Sequence, residues 1–172
     1  MTSNKKIMEP LYIYPGTFCP PHYGHVAVAK EAAKLFGKVI VICSVNPVKK
    51  DRIIFTPQEC KEMWQTYNLG KNIEIVTLDE FLEKWNRSAP TVMVRGIRDN
   101  NDIIYENDVM LYNFGKFGLR NYHYILCQKQ FEKMSSTAVR AAALGNNIAA
   151  LGQFVNQEIA ARLLERASII LK

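Results

Sequence analysis

One feature constrains this chain more than any other. Short β-branched runs, each closed by turn residues, alternate with stretches whose apolar residues recur at helical spacing. Leu11 to Tyr14 is the first run, ended by Pro15-Gly16. Val26, Ala29, Ala33 and Phe36 then repeat at helical spacing until Gly37 stops the helix. Lys38 to Val45 reads as a buried parallel strand, broken by Asn46-Pro47. Thr56-Pro57-Gln58-Glu59 carries a capping box with a first-turn proline, and Cys60, Met63, Trp64 and Tyr67 follow on one face. Ile73 to Thr77 and Thr91 to Val94 are the third and fourth strands, and Tyr122 to Cys127 is the fifth. Between the last two, Asp102 to Phe117 reads as a helix with Ile103, Met110, Phe114 and Phe117 turned inward. Two more helices run from about Ser136 to Leu144 and from about Gln153 to Ala167. Strands separated by helices imply right-handed crossovers, hence an α/β fold: a doubly wound parallel five-stranded sheet with helices on both faces.

The 172 residues suit one domain, 1–172, with a polar, flexible start over 1–8. No apolar run reaches the length of a bilayer span and nothing resembles a secretory signal, so a cytoplasmic protein without a membrane partner is expected. Lys and Arg exceed Asp and Glu by 22 to 16 but are scattered, which disfavours nucleic acid and leaves a small anionic substrate or a plain basic surface. The cysteines, Cys19, Cys43, Cys60 and Cys127, form no CxxC pair, so no protein-held metal site is expected. Cys43 and Cys127 sit in apolar runs and read as buried free thiols. Cys19 lies in a polar loop and is the one thiol open to suspicion of reactivity, although no neighbouring base is visible.

Ligands of such sheets bind at the carboxyl ends of the strands. After the first strand come Gly16, which allows close backbone approach, Thr17 with its hydroxyl, and then His22, Gly24 and His25 at the start of the next helix. Helix N-termini favour anions, and imidazoles there can donate to phosphate oxygens. A surface loop with two histidines fits the same four residues. Lys49 and Lys50 follow the second strand as phosphate-reaching point charges or ordinary surface lysines. The fourth strand leads into Arg95-Gly96-Ile97-Arg98, two forks for phosphate flanking a glycine, with Asp102 and Glu106 one turn apart beyond them. Those carboxylates either pair with Arg98 or, for Glu106, receive a ribose. Phe131 and Ser135-Ser136-Thr137 follow the fifth strand, as phosphate ligands or as an N-cap. Four strand ends thus bring anion-binding residues to one edge of one sheet, which points to a polyphosphate.

H-x-G-H after the first strand with S-S-T before a late helix resembles the Rossmann-like nucleotidyltransferase superfamily that includes class I aminoacyl-tRNA synthetases. Lys133-Met134-Ser135-Ser136-Thr137 is similar to the synthetase signature, but the chain is too short for amino-acid and tRNA domains. Tyr14-Pro15-Gly16-Thr17-Phe18, Gly24-His25, Asn46-Pro47 with Lys49-Lys50, Arg95-Gly96-Ile97-Arg98 with Asp102 and Tyr105-Glu106, and Ser135-Ser136-Thr137 together resemble bacterial phosphopantetheine adenylyltransferase. The resemblance spans about Tyr12 to Thr137. It implies adenylyl transfer from ATP to 4′-phosphopantetheine, with Mg²⁺ accompanying the nucleotide, in a homo-oligomer, a hexamer. It implies catalytic roles for Thr17, His25, Lys49 and Arg98. It borders ATP with Gly16, Thr17, Phe18, His22, His25, Gly96, Ile97, Arg98, Glu106, Phe131 and Ser135 to Thr137. It gives the acceptor to Thr17, Lys49, Phe81 and Arg95.

Three positions depart from that pattern: His22 stands where the family usually has threonine, Cys19 where it has aspartate, and Phe131 where it has tryptophan. His22 and the S-S-T-x-x-R run ending at Arg140 lean towards cytidylyl- or nicotinamide-mononucleotide transferases. The alternatives to the expected reaction are therefore another acceptor on the same scaffold, or a non-catalytic nucleotide or CoA sensor. A nucleic-acid module ranks last.

Overall fold

In a computed structural model, residues 9–45 and 53–170 are described. Among them, five strands form one fully parallel sheet: β1 (Leu11–Gly16), β2 (Val39–Cys43), β3 (Ile73–Thr77), β4 (Thr91–Ile97) and β5 (Asn121–Leu126). Their order is β3-β2-β1-β4-β5. The chain winds outward from β1 in one direction and then returns to its other side, so the strand order reverses between β1 and β4. At such a reversal, crossovers leave in opposite directions and a crevice opens at the carboxyl ends.

Seven helices connect the described strands or follow them: α1 (Tyr23–Phe36), α2 (Pro57–Gln65), α3 (Leu78–Lys84), α4 (Asn100–Phe117), α5 (Ser136–Leu144), α6 (Ile148–Phe154) and α7 (Gln157–Ile170). The side-chain alternation of a strand divides the core in two. Tyr14, Val41, Cys43 and Val94 point to one face, where Val28, Ala29 and Ala32 of α1, Met63 and Trp64 of α2, and Val139, Leu151, Ile159 and Leu163 of the last helices are buried. Ile13, Ile42 and Met93 point to the other, where Phe81 and Leu119 close a smaller cluster near α3 and α4. The doubly wound architecture expected from the alternation is the one observed.

Several details differ. β2 is confined to Val39–Cys43 within the expected longer run, and β4 continues three residues past Val94, taking Arg95, Gly96 and Ile97 into the sheet. The expected final helix is two, α6 and α7, because Val155 is extended and Asn156 caps afresh, its Oδ1 accepting from Ile159 N at 3.0 Å. Helix α3 was not anticipated, although Thr77 and Glu80 form the same reciprocal capping box as Thr56 and Glu59. In α4, Ile103 and Phe114 face solvent rather than the core. The inward side instead carries Asp102, Glu106 and Val109, because Arg95 in β4 and Arg98 just past its end draw the carboxylates in. Cys19 is buried despite its polar sequence neighbours, and Cys127 is only half-buried.

Candidate active site

The site begins where β1 ends. From Gly16 the chain turns through Thr17 to Pro21 before His22 opens α1. Phe18 sits at φ 47°, a left-handed conformation uncommon for a residue with a side chain. Its ring is buried edge-on to Tyr14 at 5.2 Å, His25 at 4.9 Å and Trp64 at 5.2 Å. A Cβ on Gly16 would lie 2.6 Å from that ring, and one on Gly24 would lie 3.1 Å from the His22 ring. Both glycines therefore make room for the protein's own aromatic rings.

His22 and His25 stack with ring centres 3.7 Å apart and an interplanar angle of 20°. Each Nδ1 is buried and has no hydrogen-bond partner among the described residues. Burial, reinforced by the Arg98 charge, lowers the His22 imidazole to about 3. Burial first, then His22, Arg98 and Arg95, hold His25 well below its usual range. Both rings are consequently neutral at pH 7, each with one N–H to donate and one lone pair. An unsatisfied buried polar group costs about 1–3 kcal/mol, so a ligand that pairs with either ring recovers that cost. The sequence placed both histidines at a helix start. Their stacking was not legible from it.

Arg95 in β4 and Arg98 just beyond it serve different ends. Arg95 donates through Nε and Nη2 to the two carboxylate oxygens of Glu106 at 2.7 and 2.6 Å, and through Nη1 to the Pro15 carbonyl at 2.5 Å. This buried fork ties α4 to β4 and the end of β1. Arg98 grips Asp102 in the same bidentate way, both distances 2.8 Å, and reaches the Met134 carbonyl at 3.2 Å. The pairing of Asp102 with Arg98 matches one of the two alternatives read from the sequence. For Glu106 the partner is Arg95 rather than Arg98. Gly96 is demanded by packing: a Cβ there would meet Val28 of α1 at 2.8 Å.

The serine-rich segment closes the site from the other side. Ser135 caps α5, accepting from Ala138 N at 3.1 Å, while Ser136 Oγ donates to the Pro20 carbonyl at 2.9 Å. Arg140 donates to the Cys19 carbonyl at 2.6 Å and to Thr137 Oγ1 at 3.2 Å. Gly24 N donates to Met134 Sδ at 3.1 Å. The two motifs, 110 residues apart in sequence, are thus laced into one wall.

A cavity of about 640 Å³ lies at the strand-order reversal. Gly16, Thr17, Phe18, His22, His25 and Arg95 line it from the β1 side, and Gly96, Arg98, Glu106, Phe131, Ser135, Ser136 and Thr137 from the other. Ile97 is absent from its wall. Lys49 lies outside the described residues, although Val45 and Ile53 on either side of that segment are lining residues. Beyond the arginines the cavity extends between α3 and α4 as a bay. It is apolar towards the sheet and α3, floored by Ile13, Ile42 and Met93 and walled by Phe81, Leu82 and Trp85, and mixed towards α4, which adds Asp108, Val109, Asn113 and Lys116. Phe81 alone of these wall residues was expected at the site; the capping box at Thr77 was the available signal for the rest. Among the described residues no group of three or more His, Cys, Asp or Glu could hold a metal ion, and Asp102 and Glu106 are engaged by arginines.

Comparison with known proteins settles the family. A model for cytidylyltransferase-like proteins matches residues 13–142. The phosphopantetheine adenylyltransferase of Aquifex aeolicus is 32% identical over 133 residues, covering 76% of this chain and 81% of that protein. The one from Rhodopirellula baltica is 33% identical over 150 residues, covering 86% and 83%. The chain belongs to the phosphopantetheine adenylyltransferases, within the cytidylyltransferase-like family. It is a nucleotidyltransferase. Among solved structures, nicotinic acid mononucleotide adenylyltransferase of Plasmodium falciparum, complexed with NaAD, superposes with a TM-score of 0.65 at 14% identity, covering 91% of this chain and 95% of that one. A bifunctional NMN adenylyltransferase/ADP ribose pyrophosphatase from Francisella tularensis gives 0.61 at 16% identity, covering 92% and 50%. At those identities the likeness establishes the shared fold. No described helix is long and apolar enough to cross a membrane.

Proposed function

We propose that this enzyme transfers the adenylyl group of ATP to 4′-phosphopantetheine, releasing pyrophosphate and forming dephospho-coenzyme A. The observation that carries the acceptor is the shape of the cavity: a polar cradle at the histidines that continues into a bay between α3 and α4, apolar towards the sheet and α3. A phosphate at the end of a long, flexible arm that alternates apolar segments with amides matches both parts. A short acceptor would leave the bay walled by Phe81, Leu82 and Trp85 unfilled.

In this reading an oxygen of the acceptor phosphate attacks the α-phosphorus in line, the bond to the bridging oxygen breaks, and pyrophosphate leaves. No covalent enzyme intermediate forms, so the protein contributes orientation and stabilisation of developing charge. His25 and His22 donate N–H groups to phosphate oxygens, and Thr17 adds a hydroxyl beside them. Lys49 takes the acceptor phosphate. Arg98, held by Asp102, supplies fixed positive charge at the cavity wall. Arg95 acts on the acceptor from its place in the pair with Glu106, which with the Pro15 carbonyl engages each of its three nitrogens once and leaves one N–H on each Nη to donate. Mg²⁺ enters as the counter-ion of the polyphosphate, held by the nucleotide.

The exposed apolar residues of α4 and of the sheet-edge strand β5, among them Ile104, Leu111 and Leu126, suit burial against a second copy, consistent with a homo-oligomer of hexameric size. Light scattering on the purified protein tests this.

His22 and Arg140 favour a second reading, a mononucleotide acceptor. Pyrophosphate release from ATP and Mg²⁺ is measured with 4′-phosphopantetheine, with nicotinamide mononucleotide, and from CTP with glycerol phosphate. Release with phosphopantetheine alone is expected. Release with another acceptor instead transfers the enzyme to a sister activity, and ATP binding without turnover on any acceptor makes it a sensor.

A further inference from the structure

The turn that carries the chain from β1 to the stacked histidines contains Pro20 and Pro21, which have no backbone N–H. Carbonyls are therefore the handles by which those two residues can be held. Three successive carbonyls each accept from a side chain far away in sequence. Arg140 Nη1 donates to Cys19 O at 2.6 Å, Ser136 Oγ to Pro20 O at 2.9 Å, and the Tyr67 hydroxyl to Pro21 O at 3.3 Å. The first two donors belong to α5 and line the cavity. The third comes from another element, just past the Thr66 cap of α2, and Tyr67 does not line the cavity.

Tyr67 is well placed to fix its acceptor. Its buried ring stands edge-on to Tyr23 at 5.6 Å and to Trp64 at 6.3 Å. Next to it, Thr66 Oγ1 accepts from Asn156 Nδ2 at 2.7 Å, which ties this stretch to the start of α7. Burial raises the Tyr67 hydroxyl above its usual range, so it stays protonated and donates. Pro21 directly precedes His22, the N-cap of α1, whose own carbonyl accepts from Val26 N at 3.1 Å. The same end of α2 supports the second histidine, since Trp64 packs on Phe18 at 5.2 Å and Phe18 on His25 at 4.9 Å. Neither imidazole has a partner at Nδ1 among the described residues, so no bond there orients the rings. Their mutual stack and the backbone entering His22 do so instead.

We propose that Tyr67 is a positioning residue for the histidine pair: through the Pro21 carbonyl, its hydroxyl sets where His22 enters α1 and hence where the stacked imidazoles stand in the cavity. A displacement on the order of 1 Å can cost about 100-fold in rate. The effect on turnover rests on the reading above that the imidazoles donate to phosphate oxygens; the geometric role does not. Ser136 and Arg140 also hold the turn, but they border the cavity, so replacing either mixes positioning with direct contact. Tyr67 holds it from outside.

The test is Tyr67→Phe in the full chain, which removes the donor and keeps the ring. The imidazole ¹⁵N signals of His22 and His25 are followed by NMR, with His123, the third histidine, as reference. The first two are expected to move and His123 to stay. Turnover, read as pyrophosphate release, is expected to fall about 10- to 100-fold with KM for ATP within about twofold. Adding Tyr67→Phe to His22→Ala is expected to cost less than about threefold more, because the hydroxyl acts through His22. Unchanged His22 and His25 signals overturn the proposal whatever the turnover, and so does a fully additive loss in the double variant. Loss of the fold by circular dichroism overturns it too, since Tyr67 is then a determinant of stability alone. Shifted ring signals with full turnover in both Tyr67→Phe and His22→Ala uphold the positioning role and count against the phosphate-donor reading instead.

Discussion

Helices α1 and α4 each follow a strand that ends at the cavity, yet they pack in opposite ways. α1 buries Gly24, Val26, Val28, Ala29 and Ala32, small residues that lie flush on the sheet. α4 is longer and buries one residue, Glu106. Its outer side exposes Ile104 and Leu111, 66% and 72% open, while its inner side borders the bay. The α1 face is closed by close packing, which makes it rigid enough to hold two stacked histidines. The α4 face is held to the sheet through a charged fork and keeps space for a ligand beneath it. Stability is concentrated on one side of this sheet and binding capacity on the other.

Removing the charge from that fork should have the largest effect. Glu106→Gln leaves the buried Arg95 guanidinium unpaired and is expected to lower stability by about 3–5 kcal/mol in urea denaturation. A variant as stable as the parent would mean that something other than this pair secures α4. The two faces can next be set against each other with apolar truncations. Leu163→Ala, on the closed side, is expected to cost about 2–5 kcal/mol. Leu111→Ala, on the outer side of α4, should stay within about 0.5 kcal/mol in a monomer. An equal loss at Leu111 would show that a neighbouring subunit covers that helix.

The third prediction concerns the histidines that the closed side supports. His25→Ala is expected to reduce turnover by about 10²–10³-fold while circular dichroism stays unchanged, the scale of losing one oriented donor to a developing charge. Full activity in a folded variant would remove His25 from the mechanism. Gly96→Ala places a methyl against Val28 and should cost about 1–3 kcal/mol, relieved by adding Val28→Ala. Absence of relief would locate the constraint elsewhere.

A further comparison is in pH. His22 is neutral in the fold down to about 3 but takes a proton near 6.5 when unfolded. The unfolded chain therefore binds more protons below 6.5, so stability is complete above that pH and declines as pH falls towards about 3. His22→Thr should flatten that decline in thermal melts from pH 7 to 4; an unchanged slope would show that other groups govern it.

Much of this protein is local information. β-branched runs, the glycine stop at Gly37 and the capping box at Thr56 are signals carried by neighbouring residues, and they suffice for the order of strands and helices. The H-x-G-H and S-S-T motifs were likewise expected at one site, and they line one cavity, because strand ends in a parallel sheet share one edge. Helix α3 was equally local, in the capping box at Thr77, and went unread. What only the tertiary structure decided is who meets whom. The stack of His22 on His25, the capture of Glu106 by Arg95, the claim of Phe18 on Gly16 and the inward turn of the polar side of α4 all depend on separate elements meeting. Hydrophobic periodicity placed Ile103 and Phe114 inward because it counts apolar residues. The fold turned α4 the other way because pairing Glu106 with the enclosed Arg95 guanidinium, and Asp102 with half-buried Arg98, outweighs covering two apolar side chains.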